Sequence, residues 1–364
     1  MARKLVYDRV LFTTVVLLCG LGLVMVYSAS AAMARSRGGV VSPFLVKQAV
    51  AAAIGFVAMA IVMHVDYRRL RDRRVVYSLV AAMVLLLVAV LFGPQWNATR
   101  RWFFVGGISI QPSELAKLAL VPFLAFFLDR RDEAGAPANR RDVLLPAALV
   151  TGLFSGLILL QPDLGTAVLL AATAATMLFL AGLSWRLVGA GLAAALPVLY
   201  LLVISVPYRR ARLFAFLDPD KDPLGSGFQA LQSLIAVGSG GVMGLGPGNS
   251  IQKLYFLPHP QSDFIYAIVA EELGLIGALV VVALFGVVLW RGLRAGLRAP
   301  DPFGRYLAWG FTSMLVIQAL INISVAVALL PTKGIPLPFL SYGGSSLVVT
   351  MVICGVLLNV SQNG

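Results

Sequence analysis

The chain has 364 residues, of which 59% are hydrophobic and 12% are charged. Soluble domains carry about 25% charged residues, so this composition excludes a soluble globular enzyme. Apolar runs of about 20 residues recur along the chain, which is the length of a helix that crosses a bilayer. The composition therefore predicts an all-α polytopic membrane protein.

Ten apolar runs are expected to span the membrane. They lie near residues 10–30, 45–65, 75–92, 113–129, 143–160, 165–182, 186–206, 264–290, 305–330 and 344–361. The first run follows a basic start and precedes small residues, as in a signal peptide, but Val10–Tyr27 is longer than the usual apolar core of one. We interpret it as the first span. Residues 1–364 then form a single ten-helix membrane domain.

The positive charges are unevenly distributed around these spans. With the N-terminus in the cytoplasm, more than half of the Lys and Arg residues fall in inner segments, which by the positive-inside rule predicts that both termini are cytoplasmic. The inner residues are Arg3, Lys4, Arg9, Arg68, Arg69, Arg71, Arg73, Arg74, Arg130, Arg131, Arg140, Arg141, Arg186, Arg291, Arg294, Arg298 and Arg305. The net charge of +13 thus reflects topology and contact with anionic lipid, and nucleic acid is not an expected partner.

The longest connection, residues 207–262, lies between predicted helices seven and eight and is expected to be extracellular. A loop of this length in a compact protein usually has a function. It opens with the basic Tyr208–Arg212, continues through a turn-rich stretch at 218–227 and includes a glycine-rich stretch at 238–248. Apolar residues at helical spacing predict a short interfacial helix at 228–237.

Two aspartates lie where a predicted helix begins on the outer side of the membrane. Asp263 ends the long loop, so its carboxylate is either a helix cap or a catalytic group, and the helix N-terminus is expected to keep it ionised. Asp163 follows a tight turn and is expected to be an N-cap, with catalysis as the alternative.

Other charged residues lie within the predicted spans, where charge is costly. Glu114 and Lys117 share one helix face and are expected to pair, which either locks two helices or presents Lys117 to an anion. Glu271 and Glu272 lie deeper than Asp263. Since adjacent helical residues point about 100° apart, at most one of these two is expected to face a given cavity.

Twelve cations are predicted on the outer side or in the outer part of the membrane, and several flank Asp263 in sequence or share its side. They are Arg35, Arg37, Lys47, Arg100, Arg101, Lys117, Arg209, Arg210, Arg212, Lys221, Lys253 and Lys333. Together with free backbone N–H groups they would suit a diphosphate, although glycine alone also serves flexibility. The sequence has no nucleotide-binding motif and no cluster of metal-ligand residues. Cys19 and Cys354 are not expected to form a disulfide.

Five motifs resemble those of the SEDS family of bacterial shape, elongation, division and sporulation proteins. They are Gln111-Pro-Ser-Glu-Leu-Ala-Lys117, Gln161-Pro-Asp-Leu-Gly-Thr166, Gly246-Pro-Gly-Asn-Ser-Ile-Gln-Lys253, the segment Leu257–Gly274 and the segment Pro331–Ser346. The family often has Leu-Pro-Glu-x-His-Thr-Asp before its catalytic aspartate. Here the segment is Leu257-Pro-His-Pro-Gln-Ser-Asp263, so the usual Glu and His are replaced.

The resemblance implies a peptidoglycan glycosyltransferase that polymerises lipid II at the outer face of the bacterial cytoplasmic membrane. It implies a class B penicillin-binding protein and other division membrane proteins as partners. The Gly-Asn-Ser-Ile-Gln-Lys and Pro-Thr-Lys-Gly forms favour the FtsW division and sporulation branch over the RodA elongation branch. No cofactor is required by the motifs, and a divalent cation is left open.

The implied site has one catalytic group and seven substrate-binding residues. They are Asp263 as general base, with Lys117, Glu114, Lys333, Arg101, Arg212, Asp163 and Ser262 around the substrate and its diphosphate. Two alternatives stay open from the residues alone, a lipid II flippase and a non-catalytic scaffold of the division machinery. The polar candidates lie near the outer side, whereas a transporter is expected to hold charges near the midplane, which favours the enzyme.

Overall fold

The computed structural model describes residues 7–36, 42–96, 99–105, 108–133, 135, 141–218, 227–254 and 256–364. Most of the turn-rich stretch at 218–227 lies outside these residues. So do five of the basic residues considered above, namely Arg3, Lys4, Arg37, Arg140 and Lys221.

The described residues form twelve α-helices. They are α1 (Arg9–Ser36), α2 (Pro43–His64), α3 (Arg73–Ala89), α4 (Pro112–Glu133), α5 (Arg141–Leu160), α6 (Leu164–Leu180), α7 (Trp185–Ile204), α8 (Pro207–Leu217), α9 (Phe228–Ser239), α10 (Ile265–Arg298), α11 (Pro302–Ala326) and α12 (Gly344–Gln362). Short 3₁₀ turns lie at Tyr67–Arg71 and Val90–Phe92.

A small hairpin between α3 and α4 was not predicted. Strands β1 (Phe103–Val105) and β2 (Ile108–Ile110) pair antiparallel, with Phe103 opposite Ile110. Strands of three residues are too short to show a period-two pattern in the sequence. The prediction of an all-α membrane fold is confirmed, and this hairpin is a small addition to it.

The ten predicted spans correspond to α1 to α7 and α10 to α12. Eight of the described helices are long and apolar enough to cross a membrane. The other two are α4, which carries Glu114, Lys117 and Asp129, and α6, an apolar helix of 17 residues. The prediction of a multi-pass helical membrane protein is confirmed.

Close helix packing builds the core, chiefly α2 against α12, α10 against α11, and α4 against α11. Small residues allow these approaches, as is usual between membrane helices. A Cβ on Gly355 of α12 would lie 2.9 Å from the Met59 carbonyl oxygen of α2. The described part of α7, by contrast, contacts few neighbours and none of its most apolar stretch is buried.

Ion pairs join the predicted inner segments at one end of the bundle. Arg71 Nε lies 2.7 Å from Asp129 of α4, and Arg68 Nε lies 3.1 Å from Asp301, which caps α11. Arg291 of α10 pairs with Asp8 before α1. The segments expected on one side of the membrane are thus together, as the charge pattern requires.

The connections predicted to lie outside contain more regular structure than the sequence suggested. The short helix predicted at 228–237 is α9, and the basic Tyr208–Arg212 lies on α8, a helix that was not predicted. Residues 331–343 enter the bundle as a non-helical segment, the re-entrant loop, in which Leu337 and Leu340 are fully buried. Such backbone is tolerated at membrane depth only where protein surrounds it.

Candidate active site

Asp263 lies at the junction between the long loop and α10, and it does not cap that helix. The N-cap of α10 is Phe264, and no side chain caps its first turn. The carboxylate instead faces the re-entrant loop, because a Cβ built on Gly334 would lie 3.2 Å from Asp263 Oδ2. Of the two roles considered for Asp263, the structure excludes capping of α10.

Burial raises the pKa of Asp263 above that of an ordinary carboxyl group. Three neighbours act in the opposite direction and lower the pKa, namely His259, the Ser262 hydroxyl and Arg212, whereas the negative charge of Asp163 raises it further. Desolvation of the carboxylate therefore outweighs these favourable charges in setting the direction of the pKa shift, and the expectation that the helix N-terminus helps to keep Asp263 ionised stays a prediction. A raised pKa suits a group that must accept a proton near neutral pH.

Asp163 caps α6, as the sequence predicted. Its Oδ1 accepts a hydrogen bond of 3.0 Å from Thr166 N, and its Oδ2 accepts one of 2.9 Å from the Thr166 hydroxyl. Gln111 Nε2 donates a longer bond of 3.4 Å to the same carboxylate. Asp163 is buried and still close enough to Asp263 to affect its pKa.

Arg101 supports the turn that precedes Asp163. Its guanidinium donates to the carbonyl oxygens of Gln161 and Pro162. Pro162 has a φ of +29°, a strained value for an L-residue. The guanidinium therefore stabilises the turn that places Asp163, and its assignment to the substrate diphosphate stays a prediction.

Arg212 and Lys333 bring positive charge to the same region. Arg212 Nη1 donates a 3.1 Å hydrogen bond to the carbonyl oxygen of Thr332 in the re-entrant loop, and its guanidinium lies 4.4 Å from the ring centroid of Tyr208. Lys333 follows Thr332, and burial lowers its pKa. Within the described part of the chain, the Lys333 ammonium has no hydrogen bond or ion pair.

Glu114 and Lys117 form the buried pair that their spacing predicted. Lys117 Nζ lies 2.9 and 2.8 Å from the two carboxylate oxygens of Glu114, and 2.8 Å from Gln318 Oε1. Each residue is 2% exposed. Because an ammonium has three N–H donors, all three are used by these contacts. The observed bonds lock α4 to α11, and a role in substrate binding stays a prediction.

Helix α10 is broken at Gly274, where the glycine-rich loop packs against it. Gly274 has φ 67° and ψ −167°, which is a glycine conformation. The N–H groups of Leu245 and Gly246 donate to the carbonyl oxygens of Glu271 and Glu272 at 3.0 Å each. The glycine-rich segment thus replaces helical hydrogen bonds that the break removes.

Glu271 and Glu272 both hold one loop, which the helical spacing did not predict. Glu271 Oε1 accepts from Ile251 N at 2.9 Å, and Glu272 Oε2 accepts from Gly248 N at 2.9 Å. Glu272 also pairs with Lys253 at 2.7 Å. The two side chains point in different directions from the helix. The segment 248–253 is long enough to reach both of them, with Gly248 at Glu272 and Ile251 at Glu271.

A separate cavity of about 800 Å³ lies between α1 and this segment. Its walls include Val24, Ile251 and Leu254, and its polar end is formed by Ser28, Lys253 and Glu272. Those three side chains hydrogen-bond one another. None of the eight predicted site residues lines the cavity.

Three groups next to the site were missed by sequence reasoning. His259 was not among the predicted site residues, although its charge lowers the pKa of Asp263. Gln318 and Asn322 were not considered, although both hold the re-entrant loop. The sequence does contain a signal for these two residues, because they are carboxamides one helical turn apart in an apolar span. Polar residues in a span are functional candidates by default.

A profile described as "Cell cycle protein", covering FtsW, RodA and SpoVE, matches residues 8–364. The chain belongs to this family. The resemblance inferred from the five motifs is therefore confirmed, and it extends over nearly the whole sequence.

Curated relatives are similar over their full length. A probable peptidoglycan glycosyltransferase FtsW from Geobacter metallireducens is 43% identical over 356 residues, which is 98% of this chain and 94% of the relative. Stage V sporulation protein E from Bacillus subtilis is 44% identical over 362 residues, covering 99% and 98%.

Solved structures share the fold. A chain from a study of the structural coordination of polymerization and crosslinking by a peptidoglycan synthase complex is 36% identical, with a TM-score of 0.80 and 98% of each chain covered. The rod shape determining protein RodA of Thermus thermophilus is 32% identical, with a TM-score of 0.72 and coverage of 99% and 98%.

Proposed function

We propose that this protein is a peptidoglycan glycosyltransferase that polymerises lipid II at the outer face of the bacterial cytoplasmic membrane. Relatives that carry this activity in their names are more than 40% identical over nearly the full length. The observation that carries the proposal is Asp263, a carboxyl group of raised pKa that faces the re-entrant loop and does not serve as a helix cap.

The reaction joins two sugars. Lipid II is a disaccharide on an undecaprenyl diphosphate, and a hydroxyl oxygen of one molecule attacks the anomeric carbon of another. A carbon–oxygen bond forms, the bond from that carbon to the diphosphate breaks, and the lipid diphosphate leaves with the electron pair. Asp263 acts as the general base and accepts the proton of the attacking hydroxyl. General base catalysis typically accelerates a reaction by about 10²–10⁴-fold.

The leaving diphosphate requires positive charge. Arg212 and Lys333 are suited to this role. The charge of Arg212 is close enough to Asp263 to lower its pKa, and Lys333 has no ion-pair partner among the described residues. Arg101 is a further candidate through the guanidinium donors that the turn does not use. A divalent cation bound to the diphosphate would share the task.

The proposed partner is a protein that crosslinks glycan chains, because polymerisation in a growing wall must be matched by crosslinking. One similar structure belongs to a peptidoglycan synthase complex that coordinates the two. A class B penicillin-binding protein is therefore the proposed partner, within a set of division membrane proteins. The motif forms at 248–253 and 331–334 favour a division or sporulation role over elongation.

Purified full-length protein with its class B penicillin-binding protein, incubated with lipid II, tests the proposal. Glycan chains that disappear on Asp263→Asn substitution are the expected result. Lipid II exchange between leaflets without polymer would identify a flippase instead. Loss of both activities in the intact complex would leave only a scaffold, and either of these two results would overturn the proposal.

A further inference from the structure

Helix α11 presents two carboxamides on one face, Gln318 and Asn322, which are one helical turn apart. They are 2% and 1% exposed. Both face the loop that forms one wall of the candidate site, and neither belongs to the set of residues proposed above to contact substrate.

The Asn322 amide joins the segment of Asp263 to the re-entrant loop. Its Nδ2 donates a 3.0 Å hydrogen bond to the main-chain oxygen of Asp263 and a 2.8 Å bond to that of Ile335. Since both partners are carbonyl oxygens, only the nitrogen of the amide can face them, which fixes its orientation. One side chain thus sets the spacing between the two segments.

Gln318 holds the next residue of the same loop. Its Nε2 donates a 2.8 Å bond to the carbonyl oxygen of Pro336, and its Oε1 accepts from Lys117 Nζ. The buried Glu114–Lys117 pair is therefore connected through Gln318 to the segment that Asn322 also binds. The loop is held from α11 at two consecutive carbonyl groups.

The position of the loop matters because Gly334 abuts the carboxylate. A Cβ at Gly334 would lie 3.2 Å from Asp263 Oδ2, so a displaced Ile335 would change the space in front of the proposed base. Asn322 Oδ1 is buried and has no hydrogen-bond partner among the described residues. What asparagine contributes here is therefore its pair of N–H donors.

We propose that Asn322 is a positioning residue, which acts on glycosyl transfer through Asp263 by fixing the distance between Asp263 and the wall at Gly334. The inference rests on the proposed function. Asn322 touches no reacting atom, and its effect must pass through the carboxylate that it helps to place. Misplacement of a catalytic group by about 1 Å lowers rates by about 10²-fold.

A double-mutant cycle tests this path. The kcat for lipid II polymerisation is measured for the full-length protein with its partner, and for Asn322→Leu, Asp263→Asn and the double variant. If Asn322 acts through Asp263, Asn322→Leu lowers kcat by about 10²-fold in the native background and has no further effect when Asp263 is already Asn. Thr312→Val, an isosteric change at a buried residue of α11 remote from these contacts, is the matched control and leaves kcat unchanged.

Asn322→Ser keeps one O–H donor and adds no charge beside Asp263, so it replaces Asn322→Leu in the cycle if the leucine variant does not fold. Equal losses in both Asp263 backgrounds would mean a general structural role and would overturn the inference, as would a wild-type kcat for the Asn322 variant. An unaltered rate for Asp263→Asn alone would instead remove the proposed general base, so the two failures are distinguishable.

Discussion

Asp163 and Asp263, from two distant segments of the chain, lie close enough that the negative charge of Asp163 raises the pKa of the Asp263 carboxyl group. Asp163 itself is held by Thr166 and Gln111 as the cap of α6. The site is thus a pair of carboxylates of which one is fully engaged in hydrogen bonds. This difference in environment favours Asp263 as the group that exchanges a proton.

Asp163→Asn is expected to extend activity to lower pH. Removing the negative charge lowers the pKa of Asp263, so the base stays deprotonated further into the acidic range. Asn caps helices as well as Asp, so α6 should keep its stability. The acid limb of the pH profile of kcat/KM measures the shift. An acid limb at the same or a higher pH would contradict the electrostatic link.

His259→Gln is expected to move the acid limb of the kcat/KM profile to higher pH. The positive charge of His259 lowers the pKa of Asp263, so its loss raises that pKa and the rate falls at a higher pH than in the native protein. His259 is exposed, which makes a folding defect unexpected. The same rate measurements serve, and an unchanged limb would show that His259 does not act on the base.

Lys117→Met is expected to destabilise the protein by about 3–5 kcal/mol, because it leaves the buried Glu114 carboxylate without its partner. The double variant Lys117→Met/Glu114→Gln removes both charges and should recover most of that loss. Thermal unfolding of the purified variants in detergent checks the order of stabilities. The KM of the double variant tests the predicted role of the pair in substrate binding. A large rise in KM places Lys117 on the substrate, and a KM near the native value limits the pair to holding α4 against α11.

Gly274→Ala is expected to destabilise the glycine-rich loop and α10. The glycine conformation costs about 1–3 kcal/mol for another residue, and a Cβ would lie 2.4 Å from both Gly244 N and Val242 O. Gly286→Ala, in the same helix and with no atom within 4 Å of the added Cβ, is the matched control. It should be neutral or slightly stabilising. Equal melting temperatures for the two variants would argue against the packed break.

Hydropathy was sufficient to predict the ten long helices, because each span must bury its backbone hydrogen bonds and expose apolar side chains to lipid. The cap at Asp163 and the pair Glu114–Lys117 were also predictable, since both depend on residues three apart. These are local relationships, and a single sequence contains them.

The site itself depends on contacts between distant segments. The break at Gly274 has no hydropathy signal, and the burial of the re-entrant loop follows from close approach to α1, where a Cβ on Gly22 would meet the Phe339 carbonyl. Nothing in the sequence near Asn322 indicates that it binds Asp263. The burial that raises the pKa of Asp263 could not be predicted for the same reason, because burial is a property of the assembled bundle.

The polymerisation rate of purified Asp263→Asn on lipid II, with the class B penicillin-binding protein present, decides whether Asp263 is the general base. Burial disfavours the charged form of Asp263, so its replacement by Asn should not lower the free energy of unfolding at neutral pH. Any gain in that free energy should disappear below the ordinary carboxyl pKa, because the native side chain is then neutral in both the folded and the unfolded state. The account predicts a well-folded complex whose rate is lower by about 10²–10⁴-fold. A folded Asp263→Asn complex that makes glycan chains at the native rate would contradict it.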